Sequence, residues 1–83
     1  RTLEELKCLA DQGYANAQHD LGYAYDQGEV LPVNLIAAVK WYRLAAEQRH
    51  AVAQASLGIM YAKGRGVPLN YVYAYVWLSL AVK

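Results

Sequence analysis

The sequence contains no phenylalanine, a single cysteine and no cluster of positive charge. Each absence narrows what the chain can be. With only Cys8 there is no internal disulfide to staple the fold, and nothing here requires an oxidising compartment. Lysines and arginines are scattered and the formal net charge is +1. A surface that tracks nucleic-acid phosphates needs clustered basic side chains, so no nucleic-acid partner is expected. The longest apolar-looking stretch, Tyr71 to Val82, is broken by Ser79 and is too short to cross a bilayer as a helix. No membrane insertion is expected from it. The chain opens at Arg1 with no leader in view, and its compartment stays open. What it does have is 57 % hydrophobic residues, eight tyrosines and two tryptophans, enough apolar surface for one ordered folding unit whose aromatics carry polar handles.

Catalytic patterns are missing as well. Glu4 and Glu5 are adjacent and splay apart on a helix. Asp20 and Asp26 do not share a helix face and are expected to be solvated surface charges. His19 and His50 stand in no H-x-x-x-H, H-E-x-x-H or Cys-containing ligand pattern. Ser56 and Ser79 have no G-x-S-x-G context. Gly64-Arg65-Gly66 lacks the preceding strand and following Lys-Ser/Thr of a phosphate loop. No catalytic residue, metal or cofactor is expected, and the chain reads as a non-enzyme.

The positive signal is internal repetition. AQHDLGYAY, Ala17 to Tyr25, returns 36 residues later as AQASLGIMY, Ala53 to Tyr61. The same offset pairs Ala10 with Ala46, Gln12 with Gln48, Gly28 with Gly64, Pro32 with Pro68, Asn34 with Asn70, Ala38 with Ala74 and Trp41 with Trp77. A period in this range points to stacked repeats, each a supersecondary unit that cannot bury its own apolar face.

Within that frame the elements are helical. Leu3, Leu6, Leu9 and Ala10 predict a helix over 2–12, with Glu4 and Glu5 at the positive end of its dipole and Gly13 as its stop. Cys8 shares the register of Leu44 and Leu80, so a buried, inert thiol is expected there. Ala17, Leu21, Gly22 and Tyr25 share one face of a second helix ended by Gly28. Gly22 and Gly58 sit mid-helix, where glycine costs about 1 kcal/mol relative to alanine. That cost makes sense if a neighbouring backbone or ring comes too close for a Cβ. Asn34 and Asn70 suit the N-cap position of the helices that follow, the first of which turns Ala38, Trp41, Tyr42 and Ala45 inward. Five helices and no strand signal predict an all-α fold. The divisions are 1–14, the second helix of a preceding repeat, then repeats over 15–50 and 51–83. The last helix is expected to leave Tyr73, Val76, Trp77 and Leu80 uncovered, as in a piece of a longer array.

These residues resemble the Sel1-like repeats, relatives of the tetratricopeptide repeats. The resemblance is carried by AxAQxxLGxxYxxG at Ala15 to Gly28 and again at Ala51 to Gly64, by the G-x-G-V loop at Gly64 to Val67, and by AxxWYxxAA at Ala38 to Ala46. AYVWLSLA, Ala74 to Ala81, is similar to the family's terminal-type second helix. It implies a right-handed α-α superhelix, a solenoid whose first helices line a concave face, acting as a scaffold or adaptor for partner proteins or peptides, often in bacteria. Two positions depart from the pattern. Val30 stands where the second glycine of the loop would be, so that loop is expected to take another path. Arg49 stands where the family stops a helix with glycine, and a left-handed conformation there would cost about 1–2 kcal/mol.

The candidate binding surface follows from the repeat register. Tyr23 lies off the apolar stripe and should face the groove with Asn16, His19, Asp20 and Gln27. The second unit contributes Val52, Ala55, Ser56, Ile59 and Lys63. One half is polar and mildly acidic, the other apolar with a basic end, which favours a peptide or helix as partner. It lacks the clustered Lys, Arg and Asn that a clamp for a C-terminal carboxylate would want. The alternative is a structural role, self-association into a dimer or an end-to-end array through the C-terminal helix.

Overall fold

The computed structural model describes residues 2–83. The architecture is five α-helices, α1 (Leu3–Asp11), α2 (Ala15–Gln27), α3 (Leu35–Ala46), α4 (Ala51–Lys63) and α5 (Tyr71–Ala81), with no strand among the described residues. The helix ends carry the local chemistry that stops and starts them. Thr2 closes a capping box on α1, its Oγ1 accepting from Glu5 N while Glu5 Oε1 accepts from Thr2 N. Asn34 and Asn70 cap α3 and α5 with a one-way bond, their Oδ1 atoms accepting from Ala37 N and Tyr73 N at 3.1 Å. Gly28 and Gly64 end α2 and α4 at φ of 70° and 65°. The backbone of Asn34 donates to the Tyr25 carbonyl and that of Asn70 to the Tyr61 carbonyl, both at 3.0 Å, so the two hairpins close alike.

Each helix packs chiefly on its neighbours in sequence, α1 on α2, α2 on α3, α3 on α4 and α4 on α5. That is the contact pattern of a solenoid, and the chain extends over 35 × 25 × 15 Å. The core is repeated with it. Ala10, Ala17 and Leu21 form one buried cluster with Trp41 against it, and their repeat partners Ala46, Ala53 and Leu57 form part of the larger one with Trp77 against it. The two tryptophans therefore occupy equivalent, half-buried surroundings. Burying Leu21 and Leu57 contributes about 1.5–3 kcal/mol each. Two glutamines complete the pattern. Gln18 Nε2 donates to the Ala10 carbonyl and Gln54 Nε2 to the Ala46 carbonyl, each at 3.2 Å, so these buried amides satisfy carbonyls at the end of the preceding helix.

The mid-helix glycines have the close neighbour their cost implies. A Cβ on Gly22 would stand 2.8 Å from Tyr42 Cδ1 and 3.2 Å from the Ala38 carbonyl oxygen. One on Gly58 would stand 2.8 Å from Leu78 Cγ and 3.2 Å from the Ala74 oxygen. Arg49 is held at φ 66°, the one non-glycine in the left-handed region among the described residues. The loops diverge at the position expected. Gly66 takes φ 74° with its Cα so near α3 that a Cβ would lie 2.5 Å from the Leu35 oxygen, whereas exposed Val30 does not share that conformation.

Two expectations need correction. Cys8 is exposed, its Sγ accepting from Gln12 Nε2 at 3.2 Å. Its register partners explain this, because Leu44 is only half-buried and Leu80 is exposed, so the position is an edge and not a core site. Asp26 is not a solvated charge: its side chain is 10 % exposed, 3.1 Å from the Arg65 guanidinium and bonded to Tyr42. On α5, Tyr73, Val76 and Leu80 are exposed as expected and Trp77 is half-buried; Tyr75, Leu78 and Val82, the repeat partners of the buried Val39, Tyr42 and Ala46, are exposed as well.

Candidate interaction surface

The first helix of each unit, α2 and α4, turns the same four positions inward. Ala17, Gln18, Leu21 and Gly22 turn into the stack, as do Ala53, Gln54, Leu57 and Gly58. Residues flanking these sets, Tyr23, Val52 and Ile59 among them, are left exposed. Of the ten positions singled out from sequence, Asn16, Asp20, Tyr23, Gln27, Val52, Ile59 and Lys63 are exposed, and His19, Ala55 and Ser56 are half-buried. Tyr23 keeps 50 % of its surface, Val52 57 % and Ile59 44 %. Tyr23 and Ile59 are repeat partners, so both first helices present a large apolar side chain at the same register.

His19 is built into the junction between units. Its side chain is 16 % exposed. The ring lies 5.5 Å from that of Tyr42 and 5.1 Å from that of His50, with Tyr23 at 6.5 Å on α2 itself. His19 Nδ1 is 3.4 Å from Asp20 Oδ1. Its partner in the second unit, Ala55, has no ring to stack, so this arrangement occurs once.

His50, outside the set read from sequence, connects α4 to α2. It caps α4, Nδ1 accepting from Ala53 N at 3.1 Å, and its Nε2 lies 2.7 Å from Asn16 Oδ1. Burial, and then the neighbouring His19, lower its pKa below the ordinary histidine value, with Asp20 opposing. The equivalent residue, Tyr14, makes no side-chain cap. A second connection runs through Gln48, whose Nε2 donates to the Gly13 carbonyl and to Gln18 Oε1, both at 2.8 Å.

Away from that surface, α3, α4 and α5 frame an apolar groove of about 360 Å³ lined by Arg43, Tyr61, Val72, Tyr73, Val76 and Trp77. The Arg43 guanidinium donates to the Tyr61 hydroxyl, and Tyr73 meets the Tyr61 ring edge-on at 5.3 Å. Among the described residues no three His, Cys, Asp or Glu side chains are placed to hold a metal ion. No helix among the described residues is long and apolar enough to cross a membrane.

Helix hairpins that repeat, stack and share one outward face define an α-solenoid repeat protein. Residues 15–50 and 51–83 match the Sel1 repeat, and the chain belongs to that family. It superposes on a Sel1 repeat protein from Oxalobacter formigenes at TM-score 0.85 and 44 % identity, over 88 % of this chain and 30 % of that one. It also superposes on a protective antigen present in uropathogenic Escherichia coli strains displaying an SLR fold, at TM-score 0.94 and 43 % identity, over 99 % of this chain and 18 % of that one. The secretory immunoglobulin A-binding protein EsiB of Escherichia coli O6:H1 is 46 % identical over 43 residues, 52 % of this chain and 9 % of that protein. The chain thus spans less than a third of the length of each of these relatives. Sel1 repeats are generally modules for protein–protein interaction.

Proposed function

We propose that the chain is a scaffold module that holds a partner peptide or helix against the shared outward face of α2 and α4. The observation that carries this reading is the exposure of Tyr23, Val52 and Ile59 on helices whose other large apolar side chains are at least partly packed away. Apolar side chains kept at matching register on successive units supply anchors for a binding partner. Polar groups flank them: Asn16 and Asp20 on the first unit, Lys63 at the far end of the second. An amphipathic segment would set its apolar positions on Tyr23 and Ile59 and its polar ones on the rim. Secretory immunoglobulin A, the ligand in the name of EsiB, is one candidate partner. The test is binding of a candidate partner by Tyr23→Ala and Ile59→Ala, each checked for unchanged helicity. Loss of at least ten-fold in affinity supports this face, and undiminished binding by both removes it.

The second reading, association through α5, rests on a separate observation. Tyr71, Val72, Tyr75 and Val82 are all largely exposed on that one short helix and its end. Sedimentation across a concentration range tests it, since a strict monomer at high concentration excludes a self-assembling role.

A further inference from the structure

We propose that His50 is an acid-sensitive clasp that ties α4 to α2 across the junction between the two repeats. It concerns the junction itself and holds with or without a partner on the outward face.

The geometry admits one form of the ring. Nδ1 accepts the Ala53 N–H at 3.1 Å, so Nδ1 carries no proton. The proton is then on Nε2, which donates to Asn16 Oδ1 at 2.7 Å. This tautomer is assigned from the hydrogen-bond partners. A single neutral imidazole therefore caps the first turn of α4 and grips the first turn of α2, two helices of different units. The imidazolium ion has no acceptor. Protonation would place an Nδ1–H donor against the Ala53 N–H at the positive end of the α4 dipole, turning a cap into a repulsion.

The groups around His50 come from three elements. From α2, the His19 ring stacks on it at 5.1 Å and 19° and disfavours a positive charge on His50. Asp20, also on α2, is the anion on that side and sits beside His19. Two tyrosines, Tyr23 on α2 and Tyr42 on α3, lie with their rings against His19. Asp26 accepts a hydrogen bond from Tyr42 and is ion-paired with Arg65. Arg49, next to His50 in the turn, adds a cation.

The sign follows from the direction in which the fold moves the proton affinity. His50 holds its proton less tightly here than an ordinary histidine does. The unfolded chain then binds more protons as pH falls below about 6.5, so stability falls with it. The clasp contributes in full above that value and is lost as the pH drops through the lowered folded-state value. The preceding unit has Tyr14 at this position and no side-chain cap, so the effect belongs to the α2–α4 junction alone.

The experiment compares the full chain with His50→Asn, which keeps a capping acceptor that does not titrate. Amide exchange at Ala53 and urea unfolding are followed from about pH 8 to pH 5, a range that brackets the histidine value. In the parent chain, Ala53 should lose about five-fold of its protection, beyond the intrinsic pH dependence, the size expected for a lost cap. In His50→Asn that protection should stay constant, and the urea midpoint should fall less steeply with acid. Nitrogen shifts of the His50 ring near neutral pH should show Nδ1 unprotonated. Equal pH dependence in the two proteins, or a proton on Nδ1, overturns the assignment.

Discussion

The Tyr42 hydroxyl donates to Asp26 Oδ2 at 3.1 Å, joining the second helix of one hairpin to the end of its first. Arg65, from the loop of the next unit, lies 3.1 Å from the other oxygen of that carboxylate. A nearly buried charge thus receives one donor from its own unit and a cation from its neighbour.

Tyr42→Phe should therefore destabilise the chain by about 1–3 kcal/mol, because the ring still fills its place over Gly22 while the carboxylate loses a donor. Urea unfolding near neutral pH measures it. A change below the experimental scatter would show that Arg65 alone satisfies Asp26.

The two mid-helix glycines should respond unequally to alanine. Substitution gains up to about 1 kcal/mol of helix propensity at either site. At Gly22 the new Cβ meets the ring of Tyr42, 1 % exposed and enclosed by both units; at Gly58 it meets Leu78, 37 % exposed and free to turn outward. Gly22→Ala is expected to cost about 1–3 kcal/mol from overpacking, and Gly58→Ala about 1 kcal/mol less. Paired thermal unfolding checks the order.

Much of this was legible in the chain itself, for reasons particular residues make plain. The offset that pairs Ala17 with Ala53 also pairs their packing, so helices, loops and the glycine contacts could be placed without coordinates. Arg49 was legible because Gly13 stands at the same point one unit earlier. Asp26 was not. Its repeat partner is Ala62, and its burial arises from Tyr42 and Arg65, which no periodicity connects to it. Cys8 misled because register reports a position and not how much covers it. His50 escaped for a related reason, since histidine is not a common cap and its second partner, Asn16, lies on another unit. His19 was placed on the correct helix, but its depth depends on the rings of Tyr42 and His50.

Arg49→Gly should raise stability by roughly 0.5–1 kcal/mol. Removing the Cβ relieves about 1–2 kcal/mol of left-handed strain, offset in part by the greater freedom of glycine in the unfolded chain. The observable is the urea midpoint, and a fall in it would mean that the arginine side chain makes a contact worth more than the strain.

The central claim is that a partner seats on the shared outward face of α2 and α4. Photo-crosslinking of the folded chain from positions 23 and 59, with position 75 on α5 as the comparison, tests it most directly. The account predicts adducts to one and the same partner protein from both 23 and 59, and none to that partner from 75. Adducts to the partner from 75 alone would contradict it and move the binding site to the end of the stack.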